Sequence, residues 1–158
     1  MMKSNSNSEN KLKVRQNEVE KVDSFTYLGA NVTKDVGGTA DMKRRIALAS
    51  GQMKKLRKIW KTSNISRKTK ATIFKSLVVS VLLYGCETWK LTKGEEDKLD
   101  VFQTKCLRRI FKIRWPEHIT NKTVLEIAGM EKISDEVRRR RWNWIGHCLL
   151  YTSDAADD

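Results

Sequence analysis

Residues 66–89, SRKTKATIFKSLVVSVLLYGCETW, hold the longest dense apolar run in the chain. Ile73, Phe74, Leu77, Val78, Val81, Leu82 and Tyr84 recur at helical spacing, with Val79 and Leu83 adding apolar character on the flanks. That spacing predicts a helix buried on most of its circumference. Ser66 stands where an N-cap belongs and Gly85 near the end. A membrane span needs about 18 apolar residues without charge, and Lys75 and Glu87 bracket a much shorter run. The segment reads as core, not membrane.

On its N-terminal side, residues 41–61 place Met42, Ile46, Ala49, Met53, Leu56 and Trp60 on one apolar seam. At about 100° per residue, Lys43, Lys54 and Lys61 fall on nearly one line, with Lys58 beside it, about a quarter-turn from that seam. Such a line either tracks a phosphate backbone or forms a solvated basic face. On its C-terminal side, residues 95–113 form a further helix with Leu99, Phe102, Cys106, Leu107, Ile110 and Phe111 inward. Its first turns carry Glu95, Glu96 and Asp97, which complement the helix dipole. Its second half carries Lys105, Arg108, Arg109, Lys112 and Arg114, and Pro116 ends it by biasing Trp115 away from helical angles. Thr120 caps a short helix through Val124, Leu125 and Ile127 to Gly129.

Ser134 is expected to cap the last helix, in which Val137 precedes Arg138, Arg139, Arg140 and Arg141, then Trp142, Trp144 and Ile145. Interleaved Arg and Trp can pair with phosphates and stack on bases. The plainer alternative makes Trp142 and Ile145 core and the arginines solvated.

Residues 1–10 are polar and rich in Ser and Asn, a composition that reads as a disordered tail. Residues 11–22 alternate around Gln16-Asn17 as a β-hairpin, with Leu12, Val14, Val19 and Val22 inward, and residues 25–29, reaching toward Val32, form a third strand. Gly37-Gly38 marks a turn. The last stretch, YTSDAADD, brings three of the 19 acidic residues and no basic one, and residues 149–158 are read as a non-native appendage resembling translated adaptor. The expected fold is mainly α: a short N-terminal β-hairpin or three-strand segment, then a bundle of four to five helices.

Lys and Arg number 32 against 19 Asp and Glu, giving a formal charge of +13. Such a surplus is costly in self-repulsion without a polyanionic partner, and nucleic acid is the first candidate. Cys86, Cys106 and Cys148 match no zinc or redox spacing, so free thiols in a reducing intracellular compartment, nuclear and/or cytoplasmic, are expected. No catalytic set, metal site, cofactor or small-molecule ligand is expected. His118 and His147 stand apart from any triad spacing, and no apolar strand carries the paired aspartates that two-metal polymerase chemistry needs.

Six ordered segments carry a family resemblance. They are Phe25-Thr26-Tyr27-Leu28-Gly29; Arg44-Arg45-Ile46; Val81-Leu82-Leu83-Tyr84-Gly85-Cys86-Glu87-Thr88-Trp89; Leu107-Arg108-Arg109-Ile110; Ile119-Thr120-Asn121; and Arg140 through His147. Together, over roughly residues 11–148, they resemble the downstream part of a non-LTR (LINE-type) retrotransposon endonuclease/reverse transcriptase. The resemblance implies that residues 11–33 are similar to a primer grip, with Phe25, Tyr27, Leu28 and Gly29 packed against a palm. It implies a thumb-like helical bundle over residues 41–114 and a post-thumb module over residues 115–148. It also implies that the catalytic palm and the fingers lie upstream, so that the two divalent ions of polymerisation, Mg by type, would be bound there and not here.

The expected function is therefore sequence-independent binding of an RNA template or RNA/DNA duplex by a non-catalytic fragment of such a polymerase, without membrane contact. Lys43, Lys54, Lys58, Lys61, Arg108, Arg109, Lys112, Arg138, Arg139, Arg140, Arg141 and Trp144 are its candidate contacts. The alternatives are a stand-alone basic helical interaction module and a non-functional remnant of a decayed element.

Overall fold

Ser66 does cap a helix, its hydroxyl accepting from the Thr69 amide at 3.1 Å. In the computed structural model, which describes residues 13–14, 17–18, 22–27, 29–33, 38–114 and 118–154, that helix is not one continuous rod. It is α3 (Arg67–Phe74), then a π-wound turn Lys75–Val79, then the short α4 (Ser80–Leu82), a left-handed Gly85 and a 3-10 turn Cys86–Thr88. Wider winding turns the backbone less per residue and so re-aims the apolar face. Phe74, Val78, Leu82 and Leu83 are fully buried and Val79 nearly so, whereas Leu77 and Tyr84, expected on the same face, are about half exposed. Each buried aliphatic or aromatic side chain contributes about 1.5–3 kcal/mol.

The remaining helices cover this spine. The sequence before it forms α1 (Thr39–Lys55) and α2 (Arg57–Lys61), separated where Leu56 leaves helical angles (φ −84°, ψ 12°). A single helix over 41–61 was expected. After it come α5 (Lys93–Phe111), α6 (Asn121–Ala128) and α7 (Ile133–Asp154). α1 packs on the π turn and α4, while α5 lies against α1, α2, α3, α6 and α7. Met42, Ala49, Phe74, Leu82, Leu99, Leu107, Ile110, Val124 and Val137 meet in one core.

Caps follow sequence logic at three places. Thr120 accepts from the Thr123 amide at 3.2 Å, and Gly129 closes α6 in the left-handed region. Glu95 accepts from both the amide and hydroxyl of Thr92, at 2.8 and 2.9 Å, to fix the start of α5. Ser134 plays a different part from the cap expected of it. It sits inside the first turn of α7, its amide and hydroxyl both donating to Asp100 of α5.

Buried polar side chains lock the connections. Lys70 Nζ donates to the Trp60 and Thr62 carbonyls at 3.1 and 2.5 Å, satisfying the C-terminal end of α2. Gln103, fully buried, donates to the Glu131 carbonyl at 2.9 Å and accepts from the Ile133 amide at 3.1 Å. Its amide thus joins α5 to the α6–α7 turn.

The N-terminal strands form two separate antiparallel pairs, not one three-strand unit. β1 (Lys13–Val14) pairs with β2 (Asn17–Glu18), and β3 (Ser24–Tyr27) with β4 (Ala30–Thr33). The expected third strand turns back on itself, with Tyr27 opposite Ala30 and Gly29 at φ 79°. Leu12, Val19, Leu28, Gly37, Trp115 and Pro116 lie outside the described residues, as do residues 1–10 and 155–158. No helix among the described residues is long and apolar enough to cross a membrane.

Candidate nucleic-acid interface

The break at Leu56 lets α1 end and α2 begin over the C-terminal end of α5, and a cleft of about 680 Å³ opens between them. Its apolar lining is Met53 and Trp60, each 4% exposed. Trp60 is tied to the helix before it, Nε1 donating to the Met53 carbonyl at 3.0 Å. Lys54, Arg57 and Lys61 stand on one wall, Arg109 and Lys112 on the other. Among the described residues none of these five cations has a carboxylate within 4 Å. A concave site lined by unneutralised cations with an apolar base is suited to a polyanion carrying flat apolar groups.

Backbone geometry sets one of these cations. α5 ends with Ile113 N–H donating to the Arg108 carbonyl at 3.0 Å and Lys112 N–H to the Arg109 carbonyl at 3.4 Å. This closure places Lys112 in the left-handed region, φ 58°, ψ 31°, where glycine is the usual residue. A lysine there holds an unfavourable conformation and delivers its side chain to the cleft.

Of the lysine line on residues 41–61, Lys54 and Lys61 reach the cleft, while Lys43 and Lys58 are exposed outside its lining. Arg57 was not foreseen. It stands at the start of α2 and lines the cleft with Lys54 and Lys61. Arg108 faces elsewhere: its Nη2 donates to the Ile119 carbonyl at 2.5 Å and to Asn121 Oδ1 at 3.0 Å, tying the α5–α6 connection.

The arginine run of α7 is engaged with its own chain's carboxylates. Arg138 pairs with Asp135 at 2.8 Å and Glu96 at 3.8 Å. Arg139 bridges Glu131 at 2.6 Å and Glu136, and Arg140 Nε donates to Glu136 at 2.8 Å. Burial pushes the Glu136 carboxyl up, but the hydrogen bond from Arg140 and the charges of Arg139 and Arg140 leave it below its ordinary range. Arg141 is half-buried, while Trp142 and Trp144 are exposed.

The four positions expected to act as a primer grip divide as well. Phe25 and Tyr27 are exposed on β3, and Leu28 lies outside the described residues. The Gly29 carbonyl is held by Arg44 Nη1 at 2.8 Å and Arg45 Nη2 at 2.5 Å. Arg45 in turn stacks on Tyr84, and Trp89 Nε1 donates to Asp41 at 3.1 Å. Motifs far apart in sequence thus meet in one structural node.

No group of three or more His, Cys, Asp or Glu side chains among the described residues is arranged to hold a metal ion. Cys86, Cys106 and Cys148 are outside disulfides. Desolvation pushes the Cys86 and Cys106 thiols up, to about 12 and about 11, so neither is a thiolate near neutral pH.

Fold and surface together define a basic, mainly helical body with a cation-lined cleft. Residues 52–84, which run from the last turn of α1 to Tyr84 and include the Lys54–Arg57–Lys61 wall, match a family described as a domain of unknown function, DUF6451. Over 135 residues, 82% of its length, the chain is 24% identical to an uncharacterized transposon-derived protein of Caenorhabditis elegans. It covers 48% of that relative, about half its length. No solved structure matches the chain.

Proposed function

We propose that this chain has a transposon origin and binds nucleic acid without base-sequence preference, as the thumb-like part of a non-LTR retrotransposon reverse transcriptase. The observation that carries the binding reading is the cleft, in which Lys54, Arg57 and Lys61 face Arg109 and Lys112 with no carboxylate among the described residues pairing with them. Phosphates are attracted to such a surface by charge and shape, without information from base edges. The similarity to a transposon-derived relative supports the origin, and the ordered motifs support the polymerase assignment. In this reading the chain supplies no catalytic group. The metal-binding aspartates belong to a palm, and the cleft grips the RNA/DNA duplex that the palm extends.

Fluorescence anisotropy on a labelled RNA/DNA hybrid tests it. Binding should weaken steeply with salt and be indifferent to base sequence. Replacing Lys54, Arg57, Lys61 and Arg109 together by Gln should lower the slope of log affinity against log salt by roughly 3, at up to about 0.9 for each phosphate no longer neutralised. A folded chain with no affinity for the hybrid at low salt, or a quadruple variant that binds as the parent does, refutes the assignment.

A further inference from the structure

The two walls of the basic cleft are held in different ways. Arg109 stands within the long helix α5 and Lys112 at its cap, but Arg57 and Lys61 belong to α2, which is five residues long. A helix that short has no stability of its own and keeps its shape through what it is tied to. Leu56 and Ile59 pack against the core from partly buried positions, and Trp60 is anchored through Nε1 to the Met53 carbonyl. The remaining tie comes from α3, where Lys70 Nζ donates to the Trp60 and Thr62 carbonyls.

That last tie differs from the others in where it acts. The carbonyls of Trp60 and Thr62 flank Lys61 in the chain, so the backbone carrying this cation is held just before it and just after it. Carbonyls at a helix end have no donor within the helix, and without Lys70 these two would turn to water. The tie also differs in charge. Lys70 is 6% exposed, and among the described residues no carboxylate lies within 4 Å of its ammonium. A cation buried without a carboxylate is costly to keep, and here carbonyl dipoles alone compensate it. Holding α2 in this way brings no negative charge up to Arg57 and Lys61.

We infer that Lys70 is a positioning residue for nucleic-acid binding, an inference that rests on the reading of the cleft as a phosphate-binding surface. Lys70 does not line the cleft. It acts through Arg57 and Lys61, keeping α2 wound so that both stand opposite Arg109 and Lys112. When its ammonium is removed, the end of α2 frays and these two cations lose their fixed place, while Lys54 on α1 and the pair on α5 keep theirs.

A double-mutant cycle in the full chain tests this, read by fluorescence anisotropy on the labelled RNA/DNA hybrid well below the melting temperature. Lys70→Met keeps the aliphatic stem and removes the donor. It should lower the slope of log affinity against log salt by about 0.9 or more, out of the roughly 1.8 that Arg57→Gln and Lys61→Gln together can remove. In the background of those two substitutions, Lys70→Met should move the slope by less than about 0.3, because the residues it acts through are gone. Amide exchange at residues 57–61 should quicken in Lys70→Met while the middle of α5 keeps its protection. A slope that Lys70→Met leaves unchanged overturns the inference. So does an equal fall in both backgrounds, since the ammonium would then act by its own charge. If instead the Arg57→Gln, Lys61→Gln variant binds as the parent does, the reading of the cleft fails and this inference falls with it. Circular dichroism checks folding; should Lys70→Met not fold, Lys70→Gln, a polar side chain one bond shorter, replaces it with the same expected outcomes.

Discussion

The guanidinium carbon of Arg45 lies 4.7 Å from the centre of the Tyr84 ring. Through that stack and the bond from Nη2 to the Gly29 carbonyl, one buried side chain joins the β3–β4 hairpin, α1 and the end of the core spine. Arg45 also pairs with Asp41 Oδ2 at 3.7 Å, on the carboxylate that receives Trp89 Nε1. Gly38, at φ 71°, makes the approach possible, since a Cβ there would meet Trp89 at 3.2 Å. Removing one partner from a buried ionic network is strongly destabilising. Arg45→Met should cost about 3 kcal/mol in urea unfolding, less whatever Arg44 and Trp89 retain by holding Asp41. A loss under about 0.5 kcal/mol would mean that the node does not anchor the hairpin.

Glu95 ties the starts of two helices together. One carboxylate oxygen accepts from the Thr39 hydroxyl at the start of α1, at 2.5 Å, and the other from Thr92 at the start of α5. The Thr39 hydrogen bond, then that from the Thr92 amide, holds its carboxyl below the ordinary glutamate range despite burial. With the folded-state value lowered, the unfolded chain takes up the proton first as pH falls. The stabilisation is therefore complete above the ordinary glutamate range and disappears as pH drops through the folded value. Glu95→Gln should cost on the order of 1 kcal/mol at neutral pH. The difference from the parent should vanish in melts run at progressively lower pH; a difference that persists through acid would assign the effect to packing.

Periodicity and cap chemistry made the helices readable, because both depend on residues at most four apart. Ser66, Thr120 and Gly129 act as their types predict. What could not be read rests on distant partners or on winding. Lys70 is buried because the carbonyls of α2 end over it, and Gln103 because the α6–α7 turn needs both a donor and an acceptor. The π turn exchanges Leu77 for Val79 on the inner face, which no count at 100° per residue foresees. The cleft was half legible: Lys54, Lys61, Arg109 and Lys112 were candidates on two helices, but only the fold puts them opposite one another and adds Arg57.

The three thiols should separate by reactivity. Cys86 and Cys106 are buried, with desolvation raising them to about 12 and about 11, whereas Cys148 is exposed on α7. Alkylation needs the thiolate. Iodoacetamide at pH near 8 should add a single adduct to the native chain, at Cys148, and three after denaturation, counted by intact mass. Rapid native labelling of Cys86 would show that the 3-10 turn opens.

Lys112 offers a separation of stability from binding. A non-glycine residue in the left-handed region costs about 1–2 kcal/mol, partly offset in a glycine variant by a more flexible unfolded chain. Lys112→Gly should therefore stabilise the chain by about 0.5–1 kcal/mol in thermal or urea unfolding. The same change removes a cation from the cleft. Affinity for the RNA/DNA hybrid should fall and the salt slope drop by up to about 0.9. Greater stability with unchanged affinity would place the duplex away from the end of α5.

The arginines of α7 and those of the cleft make opposite predictions although their sequence signals are of one kind. Arg138, Arg139 and Arg140 are held by Glu96, Asp135, Glu131 and Glu136, so a phosphate must displace a carboxylate before it gains any of the three cations. Lys54, Arg57, Lys61 and Arg109 face no such competition among the described residues. Counterion release counts only charge newly neutralised by phosphate, and an internally paired arginine contributes little of it. Replacing Arg138 and Arg139 by Gln should change the salt slope for the hybrid by less than about 0.5, against roughly 3 for the four cleft residues. Arg140→Gln should act mainly on folding, since Glu136, partly buried, would lose one of its two arginine donors, the one at 2.8 Å. The loss expected in urea unfolding is about 1–2 kcal/mol. If the α7 double variant instead flattens the salt slope as much as the cleft variant does, phosphate reaches α7 by opening those pairs. The exposed Trp144 then becomes a candidate stacking platform beside them, and Trp144→Ala should weaken single-stranded RNA binding by about 1–3 kcal/mol.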